Sequence, residues 1–102
     1  MRYLGNAFSL QMLSLDEETN VKVTPVTAAE VAQAGFKSVV GHEDTANVLT
    51  ALLGVEVAFN RESVRLEAGD ELYVAQVTGG RLPEGATVLP VGMNLKFLKV
   101  SL

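Results

Sequence analysis

The sequence predicts an α/β fold: a single small domain in which helices pack on a mixed β-sheet. Three observations carry this. Glu43–Leu53 has the spacing of an amphipathic helix, Glu71–Thr78 is apolar on both faces, and shorter alternating stretches are interleaved with helix starts and stops. A strand apolar on both sides belongs at the centre of a sheet covered from both sides. A length of 102 residues suits one domain spanning 1–102.

Taken in order, Arg2–Leu4 predicts a short strand, and Asn6–Leu13 a turn into a short helix. Asp16–Asn20 is a polar, solvated turn. Asn20–Val26 alternates Val21 and Val23 and carries Pro25, which restricts it to a sheet edge. Thr27-Ala-Ala-Glu30 is a capping-box pattern, opening a helix that Gly35 ends. In Glu43–Leu53, Ala46, Leu49, Leu52 and Leu53 form the apolar stripe, while Glu43, Asp44, Asn47 and Thr50 face out. Acidic residues in the first turn suit the helix dipole, and Gly54 stops the helix. Ser63–Glu67 alternates as a half-exposed strand. In Glu71–Thr78, Leu72 and Val74 share one face, and Tyr73, Ala75 and Val77 the other. Met93–Leu102 is a final strand with Lys96 and Lys99 outward. The expected order is β-α-β-α-α-β-β-β.

Composition narrows the function. Hydrophobic residues make up 48% and charged residues 20%, a globular balance. Without cysteine there are no disulfides and no thiolate metal ligands. The N-terminal MRYLGNAFSL does not read as a secretory signal, and no apolar run approaches the ~20 residues of a membrane helix. A cytoplasmic protein without membrane partners is expected. The net charge is −4, and no two of the eight basic residues are adjacent. Long nucleic acid, which needs a basic face to release counterions, is a poor partner. A small anion held by one or two arginines is a better one.

Few residues can carry chemistry. One histidine and no cysteine leave no zinc-type ligand set, so neither metal nor cofactor is expected. His42, directly after Gly41 at the start of the best helix, is either a turn residue or a proton donor. Gln76 is either a satisfied, partly buried amide or a contact beyond the carboxyl end of a strand, where open α/β sheets bind ligands. It leads into Thr78-Gly-Gly-Arg81-Leu-Pro-Glu84-Gly85, which is either a plain turn or a connection that presents Arg81. Arg61 reads as a surface charge and Ser9 as a helix cap. The scattered aromatics Tyr3, Phe8, Phe36, Phe59, Tyr73 and Phe97 read as core.

Five short elements occur together in one order: L-G-N-A-F-S-L at Leu4–Leu10, G-H-E-D-T at Gly41–Thr45, N-R at Asn60–Arg61, D-E-L-Y-V-A-Q-V at Asp70–Val77 and R-L-P-E-G at Arg81–Gly85. With these, nearly the whole chain resembles the viral ring nucleases, a type III anti-CRISPR family with cellular and prophage members. The resemblance implies a homodimeric α/β sandwich that cleaves cyclic tetra-adenylate without a metal. It makes His42 the general acid, brings Arg81 and Glu84 to the scissile region, and has Arg61 bind ligand. Asn6, Ser9 and Gln76 would line the pocket, with Gln11, Asp44, Thr45 and Val64 completing the substrate-binding set. One departure stands out: Ala86–Gly92 is too short and broken for a helix found there in relatives.

The implied chemistry is self-consistent. The ribose 2′-hydroxyl is the nucleophile, an arginine neutralises charge growing on the phosphoryl oxygens, and an imidazole protonates the leaving oxygen. The expected products are linear di-adenylates ending in 2′,3′-cyclic phosphate. Two other classes compete: a module that binds a cyclic oligonucleotide or nucleic acid without cutting it, and a viral or prophage interaction protein with no such ligand.

Overall fold

In the computed structural model, which describes residues 1–102, the centre of the sheet is a parallel pair. Strand β1 (Arg2–Gly5) runs beside β4 (Glu71–Thr78) with Arg2 opposite Glu71 and Gly5 opposite Val74. On its other side β1 pairs in parallel with β3 (Lys37–Ser38). Strand β5 (Asn94–Ser101) lies antiparallel to β4 over its full length, and β2 (Lys22–Val26) closes the far edge against β5. The order is β2-β5-β4-β1-β3. Pro25 thus sits on an edge strand, where a missing N–H does least harm.

Helix α1 (Ala28–Ala34) starts as its capping pattern predicts, with Thr27 Oγ1 accepting from the Glu30 amide at 3.1 Å. Helix α2 (Glu43–Leu53) has its expected bounds, and Gly54 closes it with an N–H to Thr50 O. The two helices cover one face of the sheet. There Leu4, Val31, Val40, Ala46, Leu49, Leu53, Val57, Tyr73, Ala75 and Phe97 form the larger core. The opposite face holds Val39, Leu66, Leu72, Val74 and Val100, covered by Phe8, Met12 and Val64. Glu71–Thr78 is apolar on both sides because it faces both clusters.

Several expectations are corrected. Ser63–Glu67 pairs with no strand; a single bond, Leu66 N to Met12 O at 2.7 Å, ties it to the segment that follows β1. Its alternation reflects Val64 and Leu66 packing on the second core rather than a ladder. A strand the sequence did not signal, β3, occupies the edge instead; two residues are too few for a period to register. Leu52 is 46% exposed, and the buried stripe of α2 is Thr45, Ala46, Val48, Leu49 and Leu53. Thr50, expected outside, turns inward: its hydroxyl donates to Ala46 O and accepts from the Val57 amide, clipping the chain that leaves the helix. The expected helix near Asn6–Leu13 is a single 3-10 turn, Leu10–Met12. Among the aromatics Tyr73 and Phe97 are buried, whereas Phe59 is exposed.

Candidate functional site

Because β1, β3 and β4 run parallel, their carboxyl ends share one edge of the sheet. The chain leaves that edge as Asn6 after β1, as Val39-Val40-Gly41-His42 after β3, and as Gly79-Gly80-Arg81 after β4. This is the position at which open α/β sheets bind ligands.

His42 occupies the N-cap position of α2, yet its side chain makes no capping bond. The imidazole is exposed, and it lines a cleft of about 480 Å³ with Asp44, Thr45, Val77, Gly80, Arg81 and Leu82. Its backbone is firmly held. The Gly41 amide donates to Asn6 Oδ1 at 3.2 Å, Val40 bridges to Phe59, and the Asn60 amide donates to Val40 O at 2.9 Å. The Asn60 side chain adds a bond to Ser38 O at 2.8 Å. The opening residues of α2 contribute the positive end of its dipole to the same cleft.

Arg61 follows that clip. A Cβ placed on Gly41 would lie 3.5 Å from Arg61 Cγ, so the arginine stem crosses the turn just before His42. The neighbouring Glu62 does not neutralise it. Lys37 is bonded to that carboxylate at 3.1 Å, and its hydrogen bond, helped by Asn60, holds Glu62 below the usual carboxylate range. Arg61, Arg65 and Arg81 form no ion pair within 4.0 Å, whereas Arg2 is spent on Glu71. Two uncommitted guanidiniums flank His42, Arg61 beside Gly41 and Arg81 in the cleft itself, and suit an anionic ligand, which they can bind in bidentate fashion.

The residues assigned from sequence fall into three adjoining groups. His42, Asp44, Thr45 and Arg81 share the first cleft, and Glu84 is exposed on the turn that follows Arg81. Ser9, Gln11, Arg61 and Val64 line a second, wider hollow of about 780 Å³ between residues 9–15 and 61–65. Ser9 also serves as a cap, its Oγ accepting from the Gln11 amide at 3.3 Å. Asn6 and Gln76 border a third hollow on the second face of the sheet, beside Phe8, Val74 and Leu98. Gln76 is exposed rather than a partly buried amide, because β4 outruns its cover at that point.

Two contributions escaped the sequence. Asn60 was visible only as the neighbour of Arg61, and its clip depends on β3, which has no sequence signal. Asp44, read as an outward helix residue and placed in the substrate-binding set by the resemblance, also accepts from the Gly85 amide at 3.1 Å, a tie the sequence did not signal.

The STIV B116-like family model matches residues 2–94. ORF117 of Acidianus two-tailed virus is 33% identical over 96 residues, covering 82% of this chain and 81% of that protein. Protein 26 of the Sulfolobus islandicus filamentous virus is 41% identical over 56 residues, which span 55% of this chain and 47% of its own length. Among solved structures, B116 of Sulfolobus turreted icosahedral virus superposes with a TM-score of 0.78. It is 24% identical, and the match covers 99% of this chain and 98% of that one. That likeness shows the same fold.

Proposed function

The chain belongs to the STIV B116-like family, and from that premise we propose that it is a metal-independent ring nuclease that degrades cyclic tetra-adenylate and so counters or resets type III CRISPR signalling. The observation that carries this reading is the pairing of an uncapped, exposed His42 with an ion-pair-free Arg81 in one cleft. A module that only held the ligand would need the arginine but no proton donor.

In this reading the 2′-oxygen of one adenosine attacks the adjacent phosphorus while the 5′-oxygen of the next departs. Glu84, the carboxylate on the Arg81 turn, takes the 2′-hydroxyl proton. Arg81 meets the charge that grows on the phosphoryl oxygens, where a fixed cation acts most strongly on the transition state. The His42 imidazolium gives its proton to the 5′-oxygen. Cutting two opposite linkages yields two di-adenylates, each with a 2′,3′-cyclic phosphate and a free 5′-hydroxyl. Arg61, Asn6, Ser9, Gln11, Thr45, Val64 and Gln76 bind the remainder of the ring.

A homodimer follows from the ligand's symmetry. A four-fold ring contains a two-fold axis, so a two-fold pair of chains offers each of two opposite linkages the same set of side chains. The paired clefts also double the local arginines, which lets an acidic chain hold a tetra-anion.

The test is incubation of the protein with cyclic tetra-adenylate in EDTA, with products resolved by chromatography. Di-adenylates with cyclic phosphate ends are expected. Tight binding without turnover would support a sequestering module instead, and absence of both would reject the ligand.

A further inference from the structure

We propose that Asp44 is a positioning residue: its carboxylate accepts the Gly85 amide and thereby holds the Arg81–Gly85 turn against the His42 cleft. The functional half of this inference rests on the nuclease reading above; the latch itself does not.

Ala86 N donates to Pro83 O at 3.0 Å, and Gly85, third of the four residues, has φ +80. This is a type II turn, which requires a positive φ at that position and leaves that residue's own N–H outside the turn bond. Asp44 Oδ1 takes this free donor at 3.1 Å. Asp44 stands two residues after His42 in the first turn of α2, so the bond ties the arginine's turn to the histidine's helix.

Nothing else does so by hydrogen bonding. Between Gly79 and Gly92 the chain makes a long excursion whose other bonds, Ala86 to Pro83 and Met93 to Pro90, lie within the excursion and at its end. The neck is tight: a Cβ on Gly79 would lie 2.7 Å from Gly92 O. Beyond the neck, the Asp44–Gly85 bond is the single hydrogen bond from residues 80–91 to the body of the protein. Asp44 pairs with neither Arg81 nor any other cation, so the latch leaves the guanidinium free. It also gives a reason for a carboxylate to line a cleft meant for a tetra-anion, where its charge alone would work against binding.

The test compares Asp44→Ala with Asp44→Asn, which keeps an acceptor oxygen but loses the charge. Water–amide exchange at Gly85, measured by NMR on the free protein, should quicken about fivefold to tenfold in Asp44→Ala, the weight of one ordinary hydrogen bond. It should stay near wild type in Asp44→Asn. With cyclic tetra-adenylate, the single-turnover rate of Asp44→Ala should fall by about tenfold to ~10²-fold through misplacement of Arg81, with little loss of affinity. Asp44→Asn should recover the rate and bind more tightly, most visibly at low salt. Unchanged Gly85 exchange in Asp44→Ala overturns the latch. Faster exchange with an unchanged cleavage rate, or an Asp44→Asn variant as slow as Asp44→Ala, overturns the positioning role. If the wild type does not cleave but the exchange pattern holds, the latch stands and the nuclease reading falls.

Discussion

The two walls of the His42 cleft are built in contrasting ways. On one side Gly41 and His42 are fastened by Asn6, by the Val40–Phe59 bridge and by the Asn60 clip, and they run directly into a helix seated on the larger core. On the other side, Arg81 and Glu84 ride on an excursion pinched at Gly79 and hydrogen-bonded to the body once, at Asp44. For the chemistry proposed above, the contrast amounts to a division of labour. A proton donor must meet one oxygen within hydrogen-bond reach, which favours a rigid mount. A guanidinium acting on a phosphate has five donors and a long stem, and tolerates a looser one.

On the proposed mechanism, the largest effect should come from His42 on the rigid wall. His42→Ala should slow cleavage of cyclic tetra-adenylate by ~10²–10⁴-fold while binding persists, as read in single-turnover and equilibrium titrations. Equal loss of both would mean that the imidazole binds rather than donates. Next, Leu49→Ala should cost about 2–5 kcal/mol in urea unfolding, since Leu49 is completely buried beneath α2. A cost below ~1 kcal/mol would mean that the helix carrying His42 is less firmly seated than its packing indicates.

The clip and the neck should separate the walls more finely. Asn60→Ala, leaving the Ser38 carbonyl without its donor, should cost about 1–3 kcal/mol and weaken ligand binding through Arg61. Gly79→Ala puts a Cβ against backbone at φ +92, and should cost about 1–3 kcal/mol with its functional loss confined to Arg81 chemistry. If Gly79→Ala instead disturbed the Gly41 amide in NMR spectra, the two walls would be one unit.

The smallest effect lies at the opposite end of the sheet. Asp70 is held below its usual range by the Glu67 amide, and Glu71 by the Arg2 side chain. A lowered folded-state pKa adds stability that is complete above the unfolded-chain value and is lost as pH falls through the folded one. Thermal midpoints should therefore stay level from neutrality to about pH 5 and decline below about 4.5. In Glu71→Gln the decline should be shallower; an unchanged acid slope would show that this pair carries none of it.

Much of the frame was legible in the sequence because local rules acted without opposition. Thr27 and Glu30 marked a helix start, Gly54 a stop, and the two-sided apolar run of Glu71–Thr78 a central strand. Two residues singled out by the short sequence elements, His42 and Arg81, share one cleft. Reading failed where a residue's role depended on chain distant in sequence. Ser63–Glu67 alternated for packing rather than pairing. Strand β3 was too short to show a period, and with it the Asn60 clip stayed hidden. Gln76 looked half-buried because its neighbours on the strand were.

What the sequence determined alone, then, is most of the elements, the sidedness of most of them and the chemical inventory: one imidazole, four arginines and no thiol. Capping, periodicity and composition are properties of neighbours along the chain. Tertiary structure decided that the ends of β1, β3 and β4 meet, that Glu62 spends its charge on Lys37 and leaves Arg61 free, and that Asp44 turns to Gly85. Those outcomes join residues far apart in the chain, Gly5 with Val74 and Asp44 with Gly85 among them, and no local rule reaches across a fold to the partner that satisfies a given donor or charge.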